Sequence, residues 1–190
     1  MGAKELGLGN LSVQLRGCLH WSTGPMQHGN ESNMVMVFDT TAESFWLMRA
    51  PVVHHLIDRV YLFEMDGTLG TFSFNDEEMT IDIWMLHDYE SEVWTLKCHI
   101  KLPVTEVRAR CGSLDNDEYW DVVVVPGDGE LIVLVKLAGW LLHIDMDGKL
   151  VANFHRQSVW PSQFQLKQSL FPHAFFPTLE GYVVNEVPFL

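Results

Sequence analysis

The sequence predicts an all-β fold, with antiparallel hairpins forming a partial β-propeller-like array of about three blades. Three observations lead there. Apolar residues recur at every second position in short runs, the period of a strand with one buried face. Those runs are separated at hairpin spacing by turns rich in Gly, Asp and Asn. A turn-plus-strand unit recurs along the chain at roughly the period of a propeller blade, about 40 to 50 residues.

The first predicted pair is Val13 to Trp21, folding at Arg16-Gly17. A polar loop from Ser22 to Asn33 leads to a second pair, Met34 to Asp39 and Ser44 to Met48, stopped at Pro51 because proline cannot donate to a ladder. Val60 to Met65 and Leu69 to Phe74 flank Asp66-Gly67, a dipeptide suited to the positive φ values of a type I′ turn. Thr80 to Pro103 is the most clearly patterned stretch: Ile81, Ile83 and Met85 alternate with Thr80, Asp82 and Trp84, and after a turn Trp94, Leu96, Cys98 and Ile100 alternate with Thr95, Lys97 and His99. A helical register would set Lys97 and Lys101 beside Trp94 and Cys98, at a cost of several kcal/mol per buried ion. Beyond an acidic loop at Asp115 to Glu118, Trp120 to Val125 and Leu131 to Val135 flank Pro126 to Gly129, and their unbroken apolar runs predict burial on both faces. Trp140 to Asp145 and Leu150 to Phe154 turn at Asp147-Gly148, and Arg156 to Leu190 reads as irregular coil with one strand near Gly181 to Val184. Every element is read as a short strand.

The repeat lies in the turns. Asp-Gly-x-Leu occurs at Asp66, Asp128 and Asp147, and Gly17-Cys18-Leu19 echoes its second half. Phe38-Asp39 to Phe45-Trp46 also resembles Leu86 to Val93-Trp94. Three such units are too few to close a ring, since propellers have at least four blades. The expected organisation is a tail at 1–11, a β domain at 12–170 and an irregular tail at 171–190.

Composition narrows the function. An apolar content of 47% supports a sizeable core in 190 residues. With 25 acidic against 12 basic residues and a net charge of −13, the chain lacks the clustered Lys and Arg that phosphate backbones and anionic lipids require. Neither nucleic acid nor a membrane is expected as partner. The longest apolar run, Leu131 to Leu142, is broken by Lys136 and Gly139 and falls short of the roughly 20 residues that span a bilayer. Cys18, Cys98 and Cys111 form no CxxC pair and read as buried free thiols in a reducing compartment. The N-terminus has no signal-peptide core, so a cytoplasmic or nuclear location is expected and the patterns at Asn10 and Asn30 are not read as glycosylation sites.

Catalytic and metal motifs do not occur: no GxSxG, HExxH, phosphate-binding GxxxxGK[ST] or GxGxxG. His54 and His55 are adjacent, and in extended backbone adjacent side chains point to opposite faces. Asp115 to Glu118 lacks the later Gly and Glu of a calcium loop. No catalytic residue, metal ligand or cofactor is therefore assigned, and the partner-binding residues stay unknown. Among the tryptophans, Trp21, Trp46, Trp84, Trp94 and Trp140 fit strand patterns and read as structural, Trp84 and Trp94 between blades. Trp120 and Trp160 adjoin loops and are candidates for a partner.

The stretch Ile81-Asp-Ile-Trp-x-Leu-x-Asp-Tyr-Glu-x-Glu-Val-Trp94, closing in Ile100-Lys-Leu-Pro103, resembles the F-box associated domain of plant F-box proteins, especially its grass expansions. Gly17 to Trp21 is similar to that family's first-blade motif, Phe38-Asp39 to Phe45 to its following hairpin, and Gln168-Ser169-Leu170 to its C-terminal motif. The resemblance implies a protein-binding module that captures substrates for a Skp1-cullin-type ubiquitin ligase, with no catalysis of its own. Residues 1–11 leave no room for an F-box, so binding of a Skp1-type adaptor is not expected of this chain alone. The alternatives are a propeller-like hydrolase using acidic pairs and a truncated product without stable function.

Overall fold

The computed structural model describes residues 12–23, 34–51, 61–112, 119–127, 129–156 and 161. Among the described residues, twelve strands form three four-stranded antiparallel sheets, each a simple meander, and one helix joins the second to the third. The first contains β1 (Val13–Leu15), β2 (Cys18–Ser22), β3 (Met34–Asp39) and β4 (Ser44–Arg49). The second contains β5 (Tyr61–Met65), β6 (Thr68–Asn75), β7 (Thr80–Asp88) and β8 (Val93–Lys101). The helix α1 (Val104–Cys111) leads to the third, built from β9 (Trp120–Pro126), β10 (Leu131–Leu137), β11 (Trp140–Ile144) and β12 (Leu150–His155). β1 lies against β5 and β5 against β9, so the first strand of each sheet is innermost and the fourth is the outer edge. This is the radial, blade-like arrangement of a partial propeller.

Two cores separate the sheets. Leu15, Cys18, Val35, Val37 and Met48 of the first sheet meet Leu62, Leu69 and Leu86 of the second. The opposite face of the second sheet, with Phe63, Phe72, Ile81, Ile83 and Ile100, packs on Trp120, Val122, Val133, Val135 and Leu142 of the third. Strand alternation makes this possible, since Leu62 and Phe63 are neighbours in sequence but face opposite cores.

Four expectations are corrected. Val104–Cys111 is helical, whereas the sequence predicts only strands; Val107 is its buried residue, and Glu106 pairs with Arg110 at 2.8 Å one turn on. The predicted common face of Trp94, Leu96, Cys98 and Ile100 is split. Ile83 pairs with Cys98 but Trp84 with Leu96, leaving Lys97 as an extra bulged residue, so Trp94 packs towards the first sheet and Cys98 and Ile100 towards the third, while Leu96 is 44% exposed. The runs of β9 and β10 are not buried throughout: β10 alternates fully buried and half-buried positions. Finally, of the three free cysteines only Cys18 is buried; Cys98 and Cys111 are half-exposed.

The turns repeat a single device at the periphery. Asp39 accepts the amides of Thr41 and Ala42 at 2.7 and 2.9 Å, Asp88 those of Glu90 and Ser91 at 3.0 and 3.1 Å, and Asp145 those of Asp147 and Lys149 at 3.0 and 2.8 Å. Each therefore opens the turn between the third and fourth strands of its sheet. The amide hydrogen bonds hold the carboxyls of Asp39 and Asp88 below the usual range.

The turn glycine most closely approached by a neighbouring strand is Gly148, whose φ is +80° and where a Cβ would lie 2.6 Å from the carbonyl oxygen of Lys101. Gly67 has a φ of +74° but open space around it. Gly67→Ala is accordingly expected to cost about 1 to 2 kcal/mol through the left-handed backbone alone. Gly148→Ala adds a steric clash and is expected to cost about 2 to 5 kcal/mol. Urea unfolding of the two variants side by side checks the ordering.

Candidate binding surfaces

Three features stand apart from ordinary core packing: a polar latch between the first two sheets, an open pocket on the second, and an exposed apolar face on the first. The latch is centred on His20, which is fully buried on β2. Its Nδ1 lies 3.1 Å from the Val13 carbonyl and its Nε2 2.8 Å from the Tyr89 hydroxyl. A carbonyl can only accept, so Nδ1 carries the proton and Nε2 accepts from Tyr89. Burial lowers the pKa of His20, against a smaller raising effect of the Val13 carbonyl, and burial raises that of Tyr89. The Arg16 guanidinium sits over the Tyr89 ring at 5.0 Å. At the other end of the same turn, Glu92 accepts from the Arg49 backbone amide and Nε, both at 3.1 Å, and the Trp94 indole donates to the Arg49 carbonyl at 2.7 Å. The β7–β8 turn thus ties the second sheet to the first.

The pocket encloses about 440 Å³ and is lined by Met65, Asp66, Thr68, Met85, Leu86, His87, Thr95 and Lys97. Two bulges shape it. Leu86 pairs with Trp94 and Asp88 with Val93, which leaves His87 unpaired on β7 as Lys97 is on β8, and both extra residues turn into this pocket. A methionine-lined depression thereby gains a cationic side chain, a histidine, a carboxylate and two hydroxyls, a set suited to contact with a polar side chain of another molecule.

The apolar face belongs to the first sheet and looks away from the second. Leu19, Trp21, Met36, Phe38, Phe45 and Leu47 share it, as the pairs Leu19–Phe38, Trp21–Met36, Phe38–Phe45 and Met36–Leu47 require. Phe45 is 64% and Leu47 48% exposed, while Phe38 and Phe45 touch with ring centroids 4.5 Å apart. Sequence alternation foresaw strands here but not which face would stay open.

The tryptophans divide differently from the expectation. Trp120 is buried in the larger core and is no partner contact, because β9 begins at Trp120 and turns its side chain inward. Trp46, read as structural, is 37% exposed on the outer strand. Trp21, Trp84, Trp94 and Trp140 are half-buried, and Trp94 does pack between sheets. Trp160, His54, His55, Asp115 to Glu118 and Gln168 to Leu170 lie outside the described residues. Among the described residues no three His, Cys, Asp or Glu side chains come together as a metal-holding group, and no helix is long and apolar enough to cross a membrane.

Three antiparallel meanders with adjoining first strands and open outer surfaces define a propeller-type β protein. Residues 9–176 match the family of F-box associated beta propeller domains, and the chain belongs to that family. A candidate F-box protein of Arabidopsis thaliana is 24% identical over 144 residues, which cover 74% of this chain and 35% of the relative. The chain thus matches about a third of that relative's length.

The latch makes stability depend on pH. Because the pKa of His20 is lowered on folding, the unfolded chain binds the extra proton. Stability is then full above the unfolded value of about 6.5 and is lost as pH falls below it towards the folded value. Urea titrations at pH 7.5 and 5.5 are expected to show a smaller loss on acidification for His20→Asn than for the parent chain, with Tyr89→Phe testing the partner.

Proposed function

We propose that this chain is a protein-binding module that recognises substrates for a ubiquitin ligase, without chemistry of its own. The observation that carries this reading is the family match over residues 9–176, supported by a relative described as an F-box protein. The surfaces suit it: an acidic scaffold with an open pocket and an exposed apolar sheet face offers contact area to a protein. The ligase is reached through an F-box that engages a Skp1-type adaptor. A cytoplasmic or nuclear location goes with this role.

Joined to the F-box of the Arabidopsis relative and expressed in plant cells, the chain is expected to co-purify with the adaptor and to shorten the half-life of the proteins it captures. Without the F-box it is expected to capture the same proteins and leave their half-lives unchanged. Capture of no protein in either form, or unchanged half-lives in the fused form, would count against the proposal.

A further inference from the structure

Among the described residues the fourth strand of each sheet is an edge, and the three edges differ. β8 carries a bulge at Lys97, and β12 one at Val151, since His143 pairs with Ala152 but Ile144 with Leu150. Bulges blunt an edge against further pairing. β4 pairs with β3 in one uninterrupted register from Ser44 to Arg49.

The direction of the backbone groups that β4 does not pair with β3 follows from its neighbours. Thr23 donates to the Met34 carbonyl and Thr40 to the Gly17 carbonyl, so Met34, Met36 and Phe38 direct their backbone groups to β2. Their partners on β4, Arg49, Leu47 and Phe45, must then direct theirs outward. Arg49 agrees: its amide is bound by Glu92 and its carbonyl by the Trp94 indole. Those two contacts close the edge at Arg49. Phe45 and Leu47 stand in the same outward phase on the open side, with the exposed apolar face formed by their own side chains, Met36 and Phe38.

We propose that β4 is a docking edge that takes an extended segment of a partner protein as a fifth strand of the first sheet. The inference deepens the protein-binding reading and rests on it. Backbone bonds to Phe45 and Leu47 supply affinity, and the apolar face selects a segment with apolar residues at alternate positions. Residues of that segment opposite Phe45 and Leu47 place their side chains on the same face and direct their own amides at β4. The face carries no acidic side chain among Leu19, Trp21, Met36, Phe38, Phe45 and Leu47, although the chain's net charge is −13. That overall charge sets copies of the chain against each other and favours a neutral or basic segment over a second copy.

The test uses a fluorescein-labelled peptide, Lys-Val-Thr-Phe-Thr-Val-Lys, titrated with the chain by fluorescence anisotropy. Binding is expected. N-methylation of the Val and Phe amides, which face β4, should weaken it about tenfold or more, and N-methylation of the Thr amides should change it little. Leu47→Pro removes one outward donor without touching the ladder to β3 and should weaken binding comparably. If that variant does not fold, the methylated peptides on the unaltered chain decide. The proposal is overturned by absence of binding, by equal effects of the two methylation patterns, or by a concentration-dependent dimer that Leu47→Pro dissolves and the peptide cannot enter. Should the chain and Leu47→Pro capture the same cellular proteins, the docking edge fails while the recognition role stands; should the unaltered chain capture none, the recognition role itself fails.

Discussion

The structure depends on the second sheet being buried on both faces. Leu62 and Leu69 serve one core and Phe63 and Phe72 the other, so each residue of β5 and β6 is committed to a side by strand alternation. A one-residue slip would exchange the two sets and place the wrong volumes in both cores at once. Cross-strand contacts hold the register: Tyr61 stacks on Phe72 with centroids 5.1 Å apart, and the Phe63 ring lies directly over Gly70, where no side chain fits. The first and third sheets then pack on either side of a template already fixed in register.

That arrangement leaves polar work at the periphery. Asp39, Asp88 and Asp145 each satisfy two turn amides that would otherwise lack partners within the hairpin, and they do so at equivalent points in three sheets. The β7–β8 turn has the additional role of reaching the first sheet through Tyr89, Glu92 and Trp94. Its composition is accordingly unlike a solvent-exposed hairpin tip, with two aromatic residues and an acid positioned against a neighbouring sheet.

Much of this was legible in the sequence because hairpins are local. Arg16-Gly17 and Asp66-Gly67 adopt positive φ at both turn positions, and the strands on either side start within a residue or two of where alternation puts them. The helix was not legible: Val104–Cys111 is a short segment with one buried residue and three charged ones, too weakly patterned to show a 3.6-residue period. Bulges escaped for a different reason. Alternation through Trp94, Leu96, Cys98 and Ile100 is intact as text, and only pairing with β7 reveals that Lys97 has no opposite number. The pocket depends on the two bulges and the open edge on the hydrogen-bond phase of β4, so both candidate surfaces rest on pairing, which composition and spacing do not specify. Family resemblance, carried by ordered local motifs, could be read without either.

The two cores are unequal, and this shapes how the molecule comes apart. Among the described residues the larger one gathers side chains from the second and third sheets and from α1, whereas the smaller joins the first sheet through fewer buried groups and a latch of hydrogen bonds. Cooperative units in a protein open in order of their local free energy. The first sheet is therefore the unit whose amides exchange with solvent earliest, and its detachment transiently bares Leu62, Leu69 and Leu86 while the remaining two sheets stay assembled.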